Sequence, residues 1–249
     1  MQAGARVTNL PRPLNVEPSD LNQRLTGLRG RLARAAERSG RPAVAVRLVG
    51  IVKTVPAALV SAAVALGLED LGESRVQEAE SKIAAVTRAS EGGRARWHLV
   101  GHLQRNKAGR AAQLFDRVHS VDRAELAAAL SRHAQAAGRE LRVMIEVNVA
   151  GTASQFGASP AELAALAAGV AKLPGLCLDG LMTVGPAVER AEDARAVFAG
   201  LRKLRDRVAR EAGVELPELS MGMSGDFEVA IEEGSTMVRI GRALFGARN

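Results

Sequence analysis

The feature that most constrains the fold of this chain is a strand pattern followed by a helix pattern, repeated along most of its length. Short apolar runs rich in β-branched residues predict buried strands, and apolar residues at helical spacing follow each run. We count about eight such strands, with one further helix before the first. Strict alternation predicts parallel strands, which close naturally into a barrel at this number. The sequence therefore predicts a single (β/α)8 TIM barrel with an extra N-terminal helix, and an open doubly wound sheet is the alternative.

The chain divides into an arm and one barrel domain. Residues 1–18 carry three of the nine prolines and predict a loose arm, and residues 19–249 form the predicted barrel domain. Ser19-Asp20 predicts a cap for the first helix. The predicted strands cover 46–52, 68–74, 96–101, 117–121, 142–149, 178–184, 219–223 and 237–240, and the later helices cover 56–66, 76–87, 108–114, 124–137, 160–172, 191–212 and 226–233.

Composition excludes several classes of function. The one cysteine, Cys177, cannot form an intramolecular disulfide, and the four histidines lack metal-binding spacing, so we predict no metal site. The net charge of +7 comes with 2% aromatic residues and no tyrosine, which disfavours a specific nucleic-acid partner. No apolar run approaches the length of a membrane helix, and residues 1–20 lack a signal-peptide core. We therefore expect a cytoplasmic protein with no membrane partner.

Lys53 is the most informative single residue. It follows the apolar run 46–52 and precedes Thr54-Val55-Pro56, so it lies where a predicted buried strand opens onto a loop. Burial favours the neutral amine of a lysine, and a neutral amine can attack a carbonyl and form a Schiff base. A lysine that reaches the surface at a strand end is the commoner explanation, judged from residue type and position alone.

The carboxyl ends of the strands converge on one face of a barrel, and that face carries the site. Small residues at 220–226 and the turn after Arg239 follow the seventh and eighth strands, where barrels often bind phosphate. Arg239 lies within the last strand, and a rim salt bridge with Glu146 or Glu73 is its alternative role. The strand ends on this face include Lys53, Ser74, Asn148, Met182, Ser224, Arg239 and Gly241, with Arg242 directly after the last.

The motifs together resemble those of the pyridoxal phosphate homeostasis proteins (the YggS/PROSC family), relatives of the N-terminal barrel of alanine racemase. The matching segments are VKTVP at 52–56, LGE at 71–73, VQE at 76–78, WHLVGHLQRNK at 97–107, GLMTV at 180–184 and LSMGMSGDFEVAIEEGSTMVRIGRALFGAR at 219–248. The similarity covers nearly the whole chain after about residue 20. The segments at 97–107 and 219–248 are the most specific.

The resemblance implies pyridoxal 5′-phosphate (PLP) bound to Lys53 as an internal aldimine. On this basis we assign eight strand-end residues to a cofactor site, namely Lys53, Ser74, Asn148, Met182, Ser224, Arg239, Gly241 and Arg242. It implies that Ser224 and the Gly241-Arg242 turn hold the phosphate and that Arg239 lies near the pyridine nitrogen. An arginine there keeps the nitrogen unprotonated and weakens the electron sink that PLP enzymes use. The resemblance therefore implies a non-catalytic carrier in PLP homeostasis, which we expect to be a monomer, with PLP-dependent apoenzymes as the class of recipient.

Three positions depart from the family pattern and bear on PLP affinity. Val52 replaces the usual serine, Ser74 replaces an asparagine, and Gln155 replaces a common lysine. The alternatives are an amino-acid racemase and a class I aldolase-like barrel. The related racemases use a tyrosine on a second domain, and this chain has neither a tyrosine nor residues for such a domain. An aldolase would use a Schiff-base lysine and phosphate loops, with His98, His102 or Glu73 as acid or base.

Overall fold

Eight parallel strands, paired in sequence order, close into a barrel when β8 pairs with β1. The computed structural model describes residues 18–89, 95–152 and 154–246. The strands are β1 (Arg47–Ile51), β2 (Asp70–Glu73), β3 (Arg96–Leu99), β4 (Arg117–Val121), β5 (Leu141–Glu146), β6 (Leu176–Met182), β7 (Glu218–Ser220) and β8 (Met237–Ile240). The predicted TIM barrel is confirmed, and the open sheet is excluded because both edge strands pair with each other.

Helices alternate with these strands around the outside. They are α1 (Pro18–Arg38), α2 (Ala57–Ala65), α3 (Val76–Ala89), α4 (Ala108–Leu114), α5 (Ala124–Ala136), α6 (Leu163–Ala171), α7 (Arg195–Ala212), α8 (Phe227–Glu232) and α9 (Arg242–Phe245). The predicted elements are all present, with ends that differ by a few residues. The predicted strand at 142–149 ends at Glu146, after which Val147 makes only an isolated bridge to Ala158.

The extra helix α1 precedes the barrel and packs against α8 and α9. Its start was predicted wrongly, because the helix begins at Pro18 and not after a cap at Ser19-Asp20. Proline suits a first helical position, since its missing N–H would have no partner there. Arg31 fixes the helix to α8 through two bonds to Glu228, at 3.0 and 2.8 Å. The predicted arm at 1–18 lies outside the described residues except for Pro18, which begins α1.

Two kinds of side chain fill the barrel. A small apolar cluster inside it comprises Val49, Ile51, Met144, Met182 and Met237. Buried polar residues share the strands with this cluster, among them Asp70, His98, His119, Ser220 and Arg239. A much larger apolar cluster joins the strands to the surrounding helices. The barrel interior is therefore a packed core with a polar component.

Candidate functional site

A cavity of about 850 Å³ opens at the carboxyl ends of the strands. Five of the eight residues that we assigned to a cofactor site line it, namely Lys53, Ser224, Arg239, Gly241 and Arg242. These residues come from the ends of β1, β7 and β8. Direct pairing of β1 with β8 explains why the first and last parts of the chain meet there. Their roles toward a ligand stay a prediction.

Lys53 is half-buried and follows the last strand residue, Ile51, by two positions. The next residue, Thr54, has a φ of 63°, the one positive φ at a non-glycine position among the described residues. A β-branched residue in the left-handed region is strained. Strain of this kind persists only where the surrounding structure enforces it, and it concentrates at functional sites. The backbone therefore turns sharply directly after the lysine at the mouth.

Two turns meet at the cavity and present unpaired N–H groups. Ser224 and Gly225 follow β7, and Gly241 follows β8. Within the described ranges, the N–H groups of these three residues have no hydrogen-bond acceptor. The Ser224 hydroxyl oxygen accepts a hydrogen bond from the N–H of Ala243 at 3.3 Å, which ties the two turns together. Backbone N–H groups of small-residue turns are a common means of binding anions in proteins.

Gly222 makes the first turn possible. Its φ is +94°, and an added Cβ would lie 2.6 Å from Cβ of Ala230 and 3.0 Å from Cα of Phe227. Only glycine fits both the conformation and the space. The close approach brings the start of α8 up to the end of β7, so that the turn at Ser224 faces the cavity.

Arg239 is 5% exposed, and its guanidinium is held from two sides. Nη1 donates to Oγ of Ser220 at 2.7 Å, and Nη2 donates to the carbonyl of Thr183 at 2.8 Å. Burial lowers the pKa of Arg239 to about 10, although the nearby Glu146 and Asp226 act to raise it. In the described part of the chain no carboxylate forms an ion pair with this arginine, so the alternative of a rim salt bridge to Glu146 or Glu73 is wrong.

Glu146, the last residue of β5, is a buried carboxyl without a full set of partners. It is 6% exposed, and its Oε2 has no hydrogen-bond partner among the described residues. Burial raises its pKa to about 7, while Arg239 acts to lower it and Asp122 to raise it. Its protonation state therefore changes near neutral pH, close to the charge of Arg239.

Three residues that we assigned to the site do not line the cavity. Ser74 lines a separate pocket of about 280 Å³, with Gln77 and Lys107. Asn148 instead holds its own loop, since its amide donates to the carbonyls of Thr152 and Gln155. Met182 is fully buried in the small apolar cluster inside the barrel. Contact of these three with a ligand stays a prediction.

Reasoning from the sequence missed the role of two histidines. We gave His98 and His119 no structural role, yet they bond to each other inside the barrel at 2.9 Å. One signal was available, because Arg96-Trp97-His98 and Arg117-Val118-His119 repeat the same pattern in successive strands. Residues at equivalent positions of neighbouring strands have the same orientation, so the repeat predicts two inward-facing rings.

No three His, Cys, Asp or Glu side chains in the described part of the chain are grouped so as to hold a metal ion. No described helix combines the length and apolar character needed to cross a membrane.

The fold and its mouth define a (β/α)8 barrel protein with a cavity built from the carboxyl ends of β1, β7 and β8. Comparison with known proteins is more specific, because residues 24–249 match the alanine racemase N-terminal domain. The pyridoxal phosphate homeostasis protein of Pseudomonas aeruginosa is 43% identical over 232 residues, which cover 93% of this chain and 97% of that protein. The chain belongs to the alanine racemase N-terminal domain family and, within it, to the pyridoxal phosphate homeostasis proteins.

Two further similarities agree with this assignment. The pyridoxal phosphate homeostasis protein of Aquifex aeolicus is 42% identical over 226 residues, which cover 91% of this chain and 97% of that protein. The structure of PipY from Synechococcus elongatus with PLP bound matches with a TM-score of 0.78 and 36% identity, covering 91% of this chain and all of PipY. The family resemblance that the sequence motifs indicated is confirmed.

Proposed function

We propose that this protein binds PLP at the mouth of its barrel and acts in intracellular PLP and vitamin B6 homeostasis without catalysing a reaction of its own. One observation carries the proposal: a single cavity brings Lys53 together with two turns that present unpaired N–H groups. The relatives named for PLP homeostasis, and PipY with PLP bound, support the same ligand.

The donor set fits a phosphate monoester. The N–H groups of Ser224, Gly225 and Gly241 line the cavity without acceptors of their own among the described residues. Arg242 lines the same cavity and adds a positive charge. Phosphate oxygens accept several hydrogen bonds, and converging backbone donors satisfy them at no cost in side-chain entropy. We assign the phosphate to these two turns.

Lys53 and Arg239 fit the aldehyde and the pyridine ring of PLP. Lys53 supplies the ε-amino nitrogen that condenses with the aldehyde carbon, with loss of one water. Arg239 donates hydrogen bonds only, so it favours an unprotonated pyridine nitrogen beside it. When bound, PLP supplies an electron sink, and that sink is weak when the pyridine nitrogen carries no proton. A site of this kind is suited to binding PLP and poorly suited to catalysis with it.

Reduction with borohydride tests the attachment. The purified protein is loaded with PLP, reduced, digested and analysed by mass spectrometry, and we expect the label on the peptide that contains Lys53. The variant Lys53→Ala is expected to lose the absorbance of covalently bound PLP. Lys203→Ala is the matched control, because Lys203 is exposed on α7. A protein that takes up no PLP would refute the proposed function, and a label on another lysine would refute the assignment to Lys53.

Turnover assays test the non-catalytic part of the proposal. The rival functions are racemisation of amino acids and an aldolase reaction, both of which need an acid or base beside the lysine. The chain has no tyrosine, the residue that the related racemases use for this purpose. We expect no turnover above that of free PLP with a panel of amino acids and 3-hydroxy amino acids. Turnover that exceeds free PLP and disappears in Lys53→Ala would overturn this part.

Delivery and assembly complete the proposal. One chain closes the barrel and contributes Lys53 and both turns to the cavity, and we expect the protein to be a monomer. We propose that PLP passes from this monomer to PLP-dependent apoenzymes in the cytoplasm. Sedimentation at several concentrations tests the first part, and activation of an apoenzyme by the loaded protein in the presence of a trap for free PLP tests the second.

A further inference from the structure

Five buried polar residues form one continuous hydrogen-bond chain across the barrel, which we call the buried chain. Arg239 Nη1 donates to Oγ of Ser220 at 2.7 Å, and this Oγ lies 2.9 Å from Nδ1 of His119. His119 Nε2 lies 2.9 Å from Nδ1 of His98, whose Nε2 lies 2.9 Å from Oδ1 of Asp70. None of the five is more than 5% exposed. Because His119 is on β4 and Ser220 on β7, the chain crosses the interior and does not follow neighbouring strands.

The far end of the buried chain lies away from the cavity. Asp70 is the first residue of β2, and Arg96 is the first residue of β3, so both lie toward the amino ends of the strands. Arg96 donates two hydrogen bonds of 2.8 Å to the Asp70 carboxylate, one to each oxygen, and its own side chain is half-exposed. The buried chain thus connects the amino-end face of the barrel to the Arg239 guanidinium at the mouth.

The two ends fix the direction of every bond. An arginine only donates, and an ionised carboxylate only accepts. Ser220 Oγ therefore accepts from Arg239 and donates its proton to Nδ1 of His119. His119 must then carry its proton on Nε2 and donate it to Nδ1 of His98, which in turn donates from Nε2 to the carboxylate.

The charge states agree with this direction. Burial lowers the pKa of both histidines, and His98 and Arg239 add to the lowering at His119. For Asp70, burial alone would raise the pKa, but the hydrogen bonds from Arg96 and His98 outweigh it and lower the pKa. The native state at neutral pH therefore contains a carboxylate, two neutral imidazoles with protonated Nε2, a serine and a charged arginine.

We propose that the buried chain is a positioning element that sets the orientation of the Arg239 guanidinium at the cavity. Ser220 holds one terminal nitrogen and the Thr183 carbonyl holds the other, so the guanidinium plane cannot rotate. The tautomers of His119 and His98 keep the serine proton turned away from Arg239, so that Oγ stays an acceptor. Asp70 enforces those tautomers from the far side. This role rests on the proposed function only in that the ligand beside Arg239 is PLP.

Nitrogen NMR on the ligand-free protein tests the direction without any cofactor. The variant His102→Gln/His133→Gln removes the other two histidines of the chain, leaving only His98 and His119. Long-range proton–nitrogen correlations on ¹⁵N-histidine protein at pH 7 are expected to show two neutral rings, each protonated on Nε2. A proton on Nδ1 of either ring, or a charged His98, would overturn the proposal.

Asp70→Leu tests control from the far end, because it removes the acceptor that holds the Nε2 proton of His98. Both rings are then expected to populate the Nδ1-protonated tautomer as well, so that Arg239 competes with an imidazole N–H for Ser220 Oγ. Asp70→Asn is the matched control, since Oδ1 lies within hydrogen-bond distance of both Nε of Arg96 and Nε2 of His98, and an amide oxygen in that place is expected to keep both tautomers. Tautomers that stay unchanged in Asp70→Leu would overturn the proposal.

Binding of PLP gives the functional readout. Ser220→Ala and Asp70→Leu are each expected to raise the dissociation constant for PLP about tenfold and to shift the absorbance maximum of the bound cofactor, since each removes one member of the hydrogen-bond chain that ends on Arg239. Ser131→Ala is the matched control. Ser131 is also buried, and its hydroxyl donates to the Pro174 carbonyl at 2.7 Å, but it lies on α5 and is not part of the buried chain. Equal dissociation constants and spectra for Ser220→Ala and the wild type would overturn the proposal.

The NMR and PLP-binding experiments distinguish failure of this proposal from failure of the proposed function. A wild-type protein that binds no PLP would sink the proposed function, whereas the histidine tautomers would still decide the buried chain. In that case rotation of the Arg239 guanidinium replaces binding as the readout. Its nitrogen resonances are expected to be separately resolved in the wild type and averaged in Ser220→Ala, and averaging in both proteins would overturn the positioning role.

Discussion

Lys82 of α3 reaches into the barrel wall and pairs with Glu73 of β2. The Glu73 side chain is fully buried, and the Lys82 ammonium also donates to the carbonyl of Val52, the residue before Lys53. Burial raises the pKa of Glu73, and the ion pair partly offsets that effect. A second lysine therefore supports the backbone that carries the first one.

Removal of this partner is expected to destabilise the fold. Lys82→Met leaves the Glu73 carboxyl buried without its counter-ion, and the free energy of unfolding is expected to fall by about 3 kcal/mol. Glu73→Gln in the same background is expected to restore part of the loss, because it removes the uncompensated charge. Urea unfolding measures both, with Lys203→Met on the exposed face of α7 as the control. Additive effects of the two substitutions would contradict the coupling.

The strain at Thr54 predicts an unusual order of stabilities. The φ of 63° disfavours any residue with a Cβ. Thr54→Gly is therefore expected to be more stable than Thr54→Ala by about 1 kcal/mol, the reverse of the usual preference. The alanine variant is the matched control, since both substitutions remove the same hydroxyl and methyl groups. Thermal unfolding measures the difference, and an alanine variant at least as stable as the glycine variant would refute the strain.

Glu146 predicts how stability depends on pH. Its pKa is raised from 4.5 to about 7 in the folded state, so the folded protein binds more protons than the unfolded chain between these values. Stability from this group is present below 4.5 and is lost as the pH rises toward 7. Relative to the wild type, Glu146→Gln is expected to gain stability over this range, on the order of 2 kcal/mol by pH 8.

Unfolding of both proteins at several pH values measures this gain. The exposed Glu189 supplies the control, because Glu189→Gln removes a carboxylate that water already solvates. Wild-type and Glu146→Gln curves that stay parallel from pH 5 to 8 would show that Glu146 ionises as an exposed carboxyl does.

A methyl group added at Gly222 is expected to lower the stability of the fold strongly. An added Cβ would lie 2.6 Å from Cβ of Ala230, in a backbone conformation with a positive φ. Gly222→Ala is expected to cost about 3 kcal/mol through overlap and strain together. Gly225→Ala is the control in the same turn, since an added Cβ there meets no atom within 4 Å. Equal stability of the two variants would contradict the close approach of α8.

The sequence by itself determined the architecture and much of the mouth of this protein. Periodicity depends on which side chains are buried, so the alternating pattern was enough to predict a barrel. Strand order then placed Lys53, Ser224, Arg239, Gly241 and Arg242 at one end, because the carboxyl ends of parallel strands meet. Contacts of that kind follow from chain direction alone and need no knowledge of side-chain packing.

Only the tertiary structure decided which of these residues share a cavity and what holds them. Ser74, Asn148 and Met182 end strands as Lys53 does, but register and rotamer direct them into another pocket, a loop and the core. The bond between His119 and Ser220 joins residues 101 positions apart across the barrel. Pairing at such a separation depends on the closure and stagger of all eight strands, which no local pattern encodes.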